Sequence, residues 1–257
     1  MNERTLKAIV RYDGVNFAGW QVQPDTRTVQ GELESALSRI ASRPIHVHGA
    51  GRTDAGVHAL AQVASFDWPD GLPCERLRRS LSRMLSPDLR VDALHEARPG
   101  FHARKSATGK RYAYTLSLAH EPDPFTARYA WRVPIDLDLS LVERLAQRLI
   151  GTHDFAGFQA GGAGAHTTTR TVHAITLHEG GIIGPVDARG LWRLEFFGAG
   201  FLYKMIRNIT GTLVDIARGA IPESALDERL ASPGPFLGRT APAHGLVLVE
   251  VLYDAKS

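Results

Sequence analysis

The segment of this chain richest in reactive side chains is Gly49-Ala50-Gly51-Arg52-Thr53-Asp54-Ala55-Gly56-Val57-His58. Its three glycines let the backbone turn tightly and approach a ligand, while Arg52 and Asp54 can flank one small site. The run matches neither the phosphate-binding G-x-x-x-x-G-K-[ST] loop nor G-x-G-x-x-G, which disfavours phosphate-anhydride chemistry. A buried aspartate without metal partners can act as nucleophile or general base, and a cation such as Arg52 beside it keeps it ionised at neutral pH. That chemistry suits an anomeric carbon: a carboxylate captures or stabilises an oxocarbenium-like centre, and C1′ of a nucleoside is open to the same attack. The plain structural alternative is a glycine-rich hairpin carrying a surface Arg-Asp pair, and the residues alone leave both open.

Other groups carry weaker signals. His46 and His48 alternate with Ile45 and Val47, and with Asp54 and His58 they form a conceivable metal set, although such alternation also describes the solvated face of a strand. In Lys110-Arg111-Tyr112-Ala113-Tyr114, the period of two puts both tyrosines on one sheet face, following Phe101-His102-Ala103-Arg104. Aromatics on an open sheet among arginines and lysines stack on bases, and Tyr112, nearer the strand start, is the better candidate, with Tyr114 the better core residue. Arg76, Arg78, Arg79 and Arg83 crowd one predicted helix, with Arg98, Arg104 and Arg111 further on, a distribution able to follow a phosphate backbone. Lys204, Arg207 and Asn208 share one face of a later helix, just after Gly198 and Gly200.

Composition narrows the classes. The 257 residues are 44% hydrophobic and 22% charged, ordinary globular usage that argues against low-complexity, collagen-like or coiled-coil chains. Thirty Lys plus Arg against 27 Asp plus Glu leave a net charge of +3, which permits a nucleic-acid partner without requiring one. A single cysteine, Cys74, cannot make an intramolecular disulfide or a Cys-x-x-Cys site. No apolar run approaches the length of a membrane span, and the first residues lack the apolar core of a signal peptide, so a soluble, cytoplasmic protein without membrane contact is expected.

The elements that must position these residues follow from periodicity. Residues 5–12 alternate as a strand, and Val29, Leu33, Leu37 and Ile40 recur at helical spacing after Thr28. Strands at 45–50 and 62–68, a helix through Leu77, Leu81 and Met84, and a strand at 91–96 complete the first half. The second half repeats the order: a strand at 110–118, a helix opened by a Ser140/Glu143 capping box, strands at 172–178 and 191–197, a helix from about 201 to 218, a short helix begun by Pro222, and a strand at 246–253. Both halves read β-α-β-β-α-β, the ferredoxin-like unit, and predict an α+β fold in which two such halves share a central antiparallel sheet with a cleft between them. The halves are placed at 1–105, carrying the Asp54 loop, and 106–257. Two long irregular stretches, 119–138 and 152–169, stand out as binding or flexible segments.

Taken together, Gly19-Trp20-Gln21, the block from Ala50 to His58, Phe101-His102-Ala103-Arg104 with Ser106-Ala107-Thr108, Lys110 to Tyr114, Phe201-Leu202-Tyr203 with Met205 to Asn208, and Gly245-Leu246 resemble the TruA family of tRNA pseudouridine synthases, in family order and over nearly the whole chain. The resemblance implies that Asp54 is the essential carboxylate, that Arg52 pairs with it and fills the space left by the flipped base, and that Tyr112 packs on the target uridine. Arg207 and Leu246 would complete the pocket, and Arg170 belongs to the Arg-Thr pair expected to grip the substrate, preceded here by an unusually glycine-rich stretch from Ala160 to Thr169. It further implies a homodimer acting on the anticodon arm of tRNA, isomerising uridine at positions 38, 39 and 40 with no cofactor and no metal. Arg76, Arg79 and Arg83 are expected to meet the RNA backbone. Two rivals use the same residues: a non-catalytic RNA-binding module or chaperone, and a His-Asp metal hydrolase.

Overall fold

A computed structural model describes residues 3–69, 71–121, 123–161, 167–184, 189–231, 236 and 238–254. The chain divides into two compact units, 1–110 with 247–257, and 111–246. The last strand thus falls with the first unit, where the sequence pattern had counted it with the second half.

In the first unit β1 (Glu3–Tyr12) is flanked by two antiparallel partners, β3 (His58–Pro69) and β4 (Leu89–Glu96), with Ala8 opposite Ala64 on one side and Leu94 on the other. The short β2 (His48–Gly49) pairs antiparallel with β3. Only these two residues of the strand expected at 45–50 enter the ladder. β10 (Leu246–Tyr253) runs parallel to β3 through Val247–His58 and Leu248–Ala59, so the sheet is mixed where a purely antiparallel one was expected. Alternation along β1 buries Leu6, Ala8, Val10 and Tyr12. The helices contribute Val29, Leu33 and Leu37 from α1 (Val29–Ala41), and Leu77 and Leu81 from α2 (Cys74–Met84), at the three-and-four spacing of an apolar stripe. Thr28 caps α1, its hydroxyl accepting the Gly31 N–H at 3.2 Å.

A second, smaller core forms from Ala50, Val63, Phe101 and Ala103, joined by Ile9, Val251 and Tyr253. The Phe101-His102-Ala103-Arg104 segment is therefore partly structural. The Ala103 N–H donates to Ser65 Oγ at 3.0 Å, and the Tyr253 hydroxyl donates to the Ala103 carbonyl at 2.7 Å.

In the second unit the strand order is β5 (Ala107–Ser117), β9 (Leu191–Gly198), β8 (Thr169–Glu179), β7 (Gly151–Asp154). β6 (Trp131–Arg132) lies parallel to β5. β7 falls inside the stretch expected to be irregular, and its Thr152 and Thr171 hydroxyls, 2.8 Å apart, join it to β8. Among the described residues the helices of this unit are α3 (Leu139–Gln147), α4 (Met205–Ala217) and α5 (Ser224–Ala231). Asp138, not Ser140, caps α3: its carboxylate accepts the Leu141 N–H at 2.9 Å and the Ser140 hydroxyl at 2.6 Å, because the helix begins two residues earlier than the capping-box pattern suggests.

Almost every residue of α4 is buried, including polar ones. Thr210 and Thr212 satisfy their hydroxyls on the carbonyls one turn back, at 2.9 Å each. Asn208 donates to the Phe158 carbonyl at 2.8 Å and accepts from the Thr240 hydroxyl at 2.7 Å. This fully buried side chain is a structural bracket and not part of a ligand-facing row with Lys204 and Arg207.

Candidate active site

The Asp54 loop lies between β2 and β3, and the backbone from Gly14 to Trp20 holds it in place. The Trp20 N–H donates to the Thr53 carbonyl at 3.0 Å, and the Val57 N–H closes a turn onto the Asp54 carbonyl at 3.1 Å. Gly56 is the third residue of that turn, at φ +79°, where a side chain would be strained. Gly19, at φ +97°, lets the two backbones meet, since a Cβ there would lie 2.7 Å from the Thr53 oxygen. The remaining polar groups are closed off below the loop: Tyr12 Oη and Thr53 Oγ1 are 2.8 Å apart, and Gln62, fully buried, donates to the Gly51 carbonyl at 2.8 Å. Burial pushes the Tyr12 hydroxyl up to about 12, outweighing the opposing side-chain interactions with Thr53 and Gln62, so it stays a neutral phenol.

On this fixed base Asp54 is half-buried, less enclosed than expected, and Arg52 is exposed. Among the described residues no group of three or more His, Cys, Asp or Glu side chains is arranged to hold a metal. His46 and His48 occupy the exposed positions alternating with buried Ile45 and Val47. His58 is buried, its Nδ1 3.1 Å from the Gly14 nitrogen that donates to it and 3.1 Å from Asp13 Oδ1. Lys110, unremarked as a site residue in the sequence, brings its ammonium against Gly51, so a Cβ there would come within 3.0 Å of Nζ.

The other candidates belong to the second unit. Tyr112 on β5 is buried, with its ring edge-on to Phe201 at 5.4 Å. Tyr114 is core, as its position suggested: it is fully buried and donates to the Pro242 carbonyl at 2.8 Å, and burial drives its hydroxyl far above the usual range. Arg207 on α4 donates from Nε to the Ala241 carbonyl at 2.8 Å, and its own carbonyl accepts the Ala241 N–H at 3.1 Å. The chain then passes through a 3-10 turn at Ala243–Gly245, packed against Tyr114, into buried Leu246. Tyr112 with Phe201, and Arg207 with the run toward Leu246, are thus assembled around β5 and the start of α4.

Arg170 on β8 is held by its own approach segment, donating to the Thr167 and Thr169 carbonyls at 3.0 and 2.6 Å. Residues 162–166 of the glycine-rich stretch before it lie outside the described residues. Arg76, Arg79 and Arg83 are exposed on α2, with Arg78 and Arg79 facing Glu75 at 2.7 and 3.6 Å. Tyr12 and Gln62 read in the sequence only as strand residues, and Gly14 carries no motif, yet with Gly19 they support the Asp54 loop. The Tyr12-Asp13-Gly14 turn signal at the end of β1 was the available clue.

A half-buried carboxylate on a loop braced by backbone hydrogen bonds, two residues from an exposed arginine, can attack or deprotonate a neutral substrate. The profile of a family described as tRNA pseudouridine synthase matches residues 8–104 and 145–254. The chain is 38% identical over 251 residues to tRNA pseudouridine synthase A of Geobacter sulfurreducens, covering 97% of this chain and 100% of that protein. It is 40% identical over 250 residues to tRNA pseudouridine synthase A of Streptococcus mutans, covering 96% and 98%. Of solved structures, an archaeal box H/ACA sRNP Nop10-Cbf5 complex aligns at 15% identity and a TM-score of 0.31, over 95% of this chain and 46% of that one, a likeness too slight to add anything. With matches that run nearly end to end and include the Asp54 loop, the chain belongs to the tRNA pseudouridine synthase family.

Proposed function

We propose that this protein isomerises uridine to pseudouridine at positions 38, 39 and 40 in the anticodon arm of tRNA, with Asp54 as the catalytic carboxylate. The observation that carries the proposal is a half-buried aspartate on a loop whose other polar groups are fixed from behind, in a chain of this family. The target uridine is extruded from the arm, which costs a few kcal/mol and least for a loop or weakly paired base. The C1′–N1 bond breaks with help from Asp54, the uracil turns, and C1′ bonds to C5. The C5 proton leaves to a base, for which Asp54 and Tyr112 are the candidates, and N1 ends protonated, so atoms and charge balance without a redox cofactor.

In this assignment Arg52 takes the space the base vacates, which fits its exposed position two residues from Asp54. Tyr112 packs on the uridine, Arg207 and Leu246 complete the pocket, and Arg170 grips the RNA. Arg76, Arg79 and Arg83 follow its backbone. The working form is a cytoplasmic homodimer in which one tRNA meets both subunits. Among the described residues, no helix is long and apolar enough to cross a membrane.

Tritium release from tRNA labelled at uridine C5 tests the chemistry, since only loss of that hydrogen frees the label. Asp54→Asn should abolish release while tRNA affinity stays within about threefold of wild type, because phosphate contacts remain. Full turnover by that variant would remove Asp54 from the reaction, and binding without any release by the wild type would leave an RNA-binding module.

A further inference from the structure

The link from β9 into α4 ends in a tight turn. Leu202 and Met205 are buried, and the Met205 N–H closes onto the Leu202 carbonyl at 3.1 Å, leaving Tyr203 and Lys204 as the two central residues. Lys204 sits at φ 58°, ψ 6°, the left-handed conformation that the third position of a type II turn demands and that glycine or asparagine adopts with least strain. A lysine held there is kept in spite of its backbone, and residues of that kind cluster at ligand sites.

Tyr203 is one of two large aromatics exposed among the described residues, at 44%. Its stem is fixed, since its carbonyl accepts the Ala160 N–H at 3.2 Å. The Lys204 ammonium lies over the ring, 5.0 Å from its centroid, so a cation covers part of a side chain that is still 44% exposed. Two residues earlier, Phe201 meets Tyr112, and one helical turn later comes Arg207. The exposed ring is thus two residues along the chain from the ring that meets Tyr112 and four from Arg207, both assigned above to the target uridine.

We infer that Tyr203 is a stacking platform for an unpaired base of the tRNA adjacent to the target uridine, and that Lys204 holds its strained conformation to bring an ammonium to the phosphate of the same nucleotide. This rests on the function proposed above. An aromatic ring stacks on any base, which suits an enzyme that must accept more than one sequence, and capturing a neighbour offsets the stacking lost when the uridine flips.

The test uses the full-length protein and an anticodon-arm RNA with a single 2-aminopurine at each unpaired position in turn. Wild type should quench the fluorophore at a position next to the target, and Tyr203→Ala, bound at saturation, should leave it bright. Tyr203→Ala should raise Kd and KM for tRNA by about 10- to 100-fold with kcat changed by less than about threefold, and Tyr203→Phe and Tyr203→Trp should restore both constants. Lys204→Gly should raise the melting temperature, weaken tRNA binding and lower the slope of log Kd against log salt by about one. KM for Tyr203→Ala within about twofold of wild type, unchanged quenching, or failure of the Phe variant to rescue overturns the platform. A melting temperature lowered by Lys204→Gly overturns the role given to the lysine. Fluorescence reads stacking whether or not isomerisation occurs, whereas tritium release by the wild type reports on the proposed function alone.

Discussion

Replacing Gly211 with alanine sets helix propensity against packing, and the geometry of α4 decides between them. In an open helix the change would stabilise by about 1 kcal/mol, since glycine gives up more backbone freedom. In α4, however, residues 239–241 cross so close that a Cβ on Gly211 would overlap the Arg239 carbonyl oxygen and come within 3.0 Å of its carbonyl carbon and 3.3 Å of the Ala241 nitrogen. Relief requires the crossing segment to retreat by on the order of 1 Å, the scale on which packed contacts are lost. That segment is tied to α4 by the paired Arg207–Ala241 backbone and side-chain bonds at 3.1 and 2.8 Å, by Thr240 to Asn208 at 2.7 Å, and by Arg239 to Asp215 at 3.3 Å. Two weakened hydrogen bonds at about 1 kcal/mol each, with overpacking strain of about 1–3 kcal/mol, exceed the propensity gain and leave a net loss of about 2–4 kcal/mol. At this chain length that lowers the melting midpoint by roughly 5–15 °C. Urea and thermal melts followed by circular dichroism measure it, and KM for tRNA should rise with the instability because Arg207 is anchored on the displaced segment. A variant as stable as wild type would refute the close crossing.

Acid should act on a different cluster. The Arg27 guanidinium beside Asp88 holds its carboxyl well below the usual carboxylate range against partial burial, with Ser86 and Asn16 adding hydrogen bonds. Because the folded value lies below the unfolded one, this stabilisation is complete above about pH 4 and drains away as pH falls below it. Melting temperatures taken from about pH 5 down to pH 2 should therefore fall less steeply in Asp88→Asn than in wild type, and equal slopes would sink the assignment. On α2, Arg76→Ala with Arg79→Ala should weaken tRNA binding and reduce its salt slope by about two, while kcat at saturation holds. An unchanged slope, measured by filter binding at several salt concentrations, would take that helix off the RNA path.

Much of this architecture was legible because burial imposes a period. The alternation of Leu6, Ala8, Val10 and Tyr12, and the stripes of α1, α2 and α4, mark their elements directly. Where a strand is short or borders a loop, periodicity has too few residues to speak: β7 is four residues long, β6 two, and only His48–Gly49 of the expected strand at 45–50 pairs. Parallel pairing of β10 with β3 depends on contacts across most of the chain, which no local pattern encodes. The site follows the same division. Asp54 and Arg52 announce themselves by residue type among glycines, and Tyr112 and Tyr114 separate by their position along β5. The exposure of Arg52, the buried role of Asn208 and the dependence of the Asp54 loop on Gly14 and Gly19 arise from tertiary neighbours. The capping of α3 by Asp138 rather than Ser140 is a local difference of two residues in where the helix begins.

The parallel seat of β10 on β3 has a consequence for biosynthesis. Residues 111–245 are made between β3 and the strand that pairs with its first residues, so the His58–Ala59 end of β3 lacks β10, and Phe101 lacks Tyr253, while that whole stretch emerges. Loop closure over such a separation is slow, and an uncovered strand edge in a nascent chain invites pairing with other chains. Translation therefore finishes the interrupted unit late, after the inserted one has had time to fold, and truncations that remove 246–253 should yield a ribosome-released product that aggregates even though the Asp54 loop is encoded far upstream.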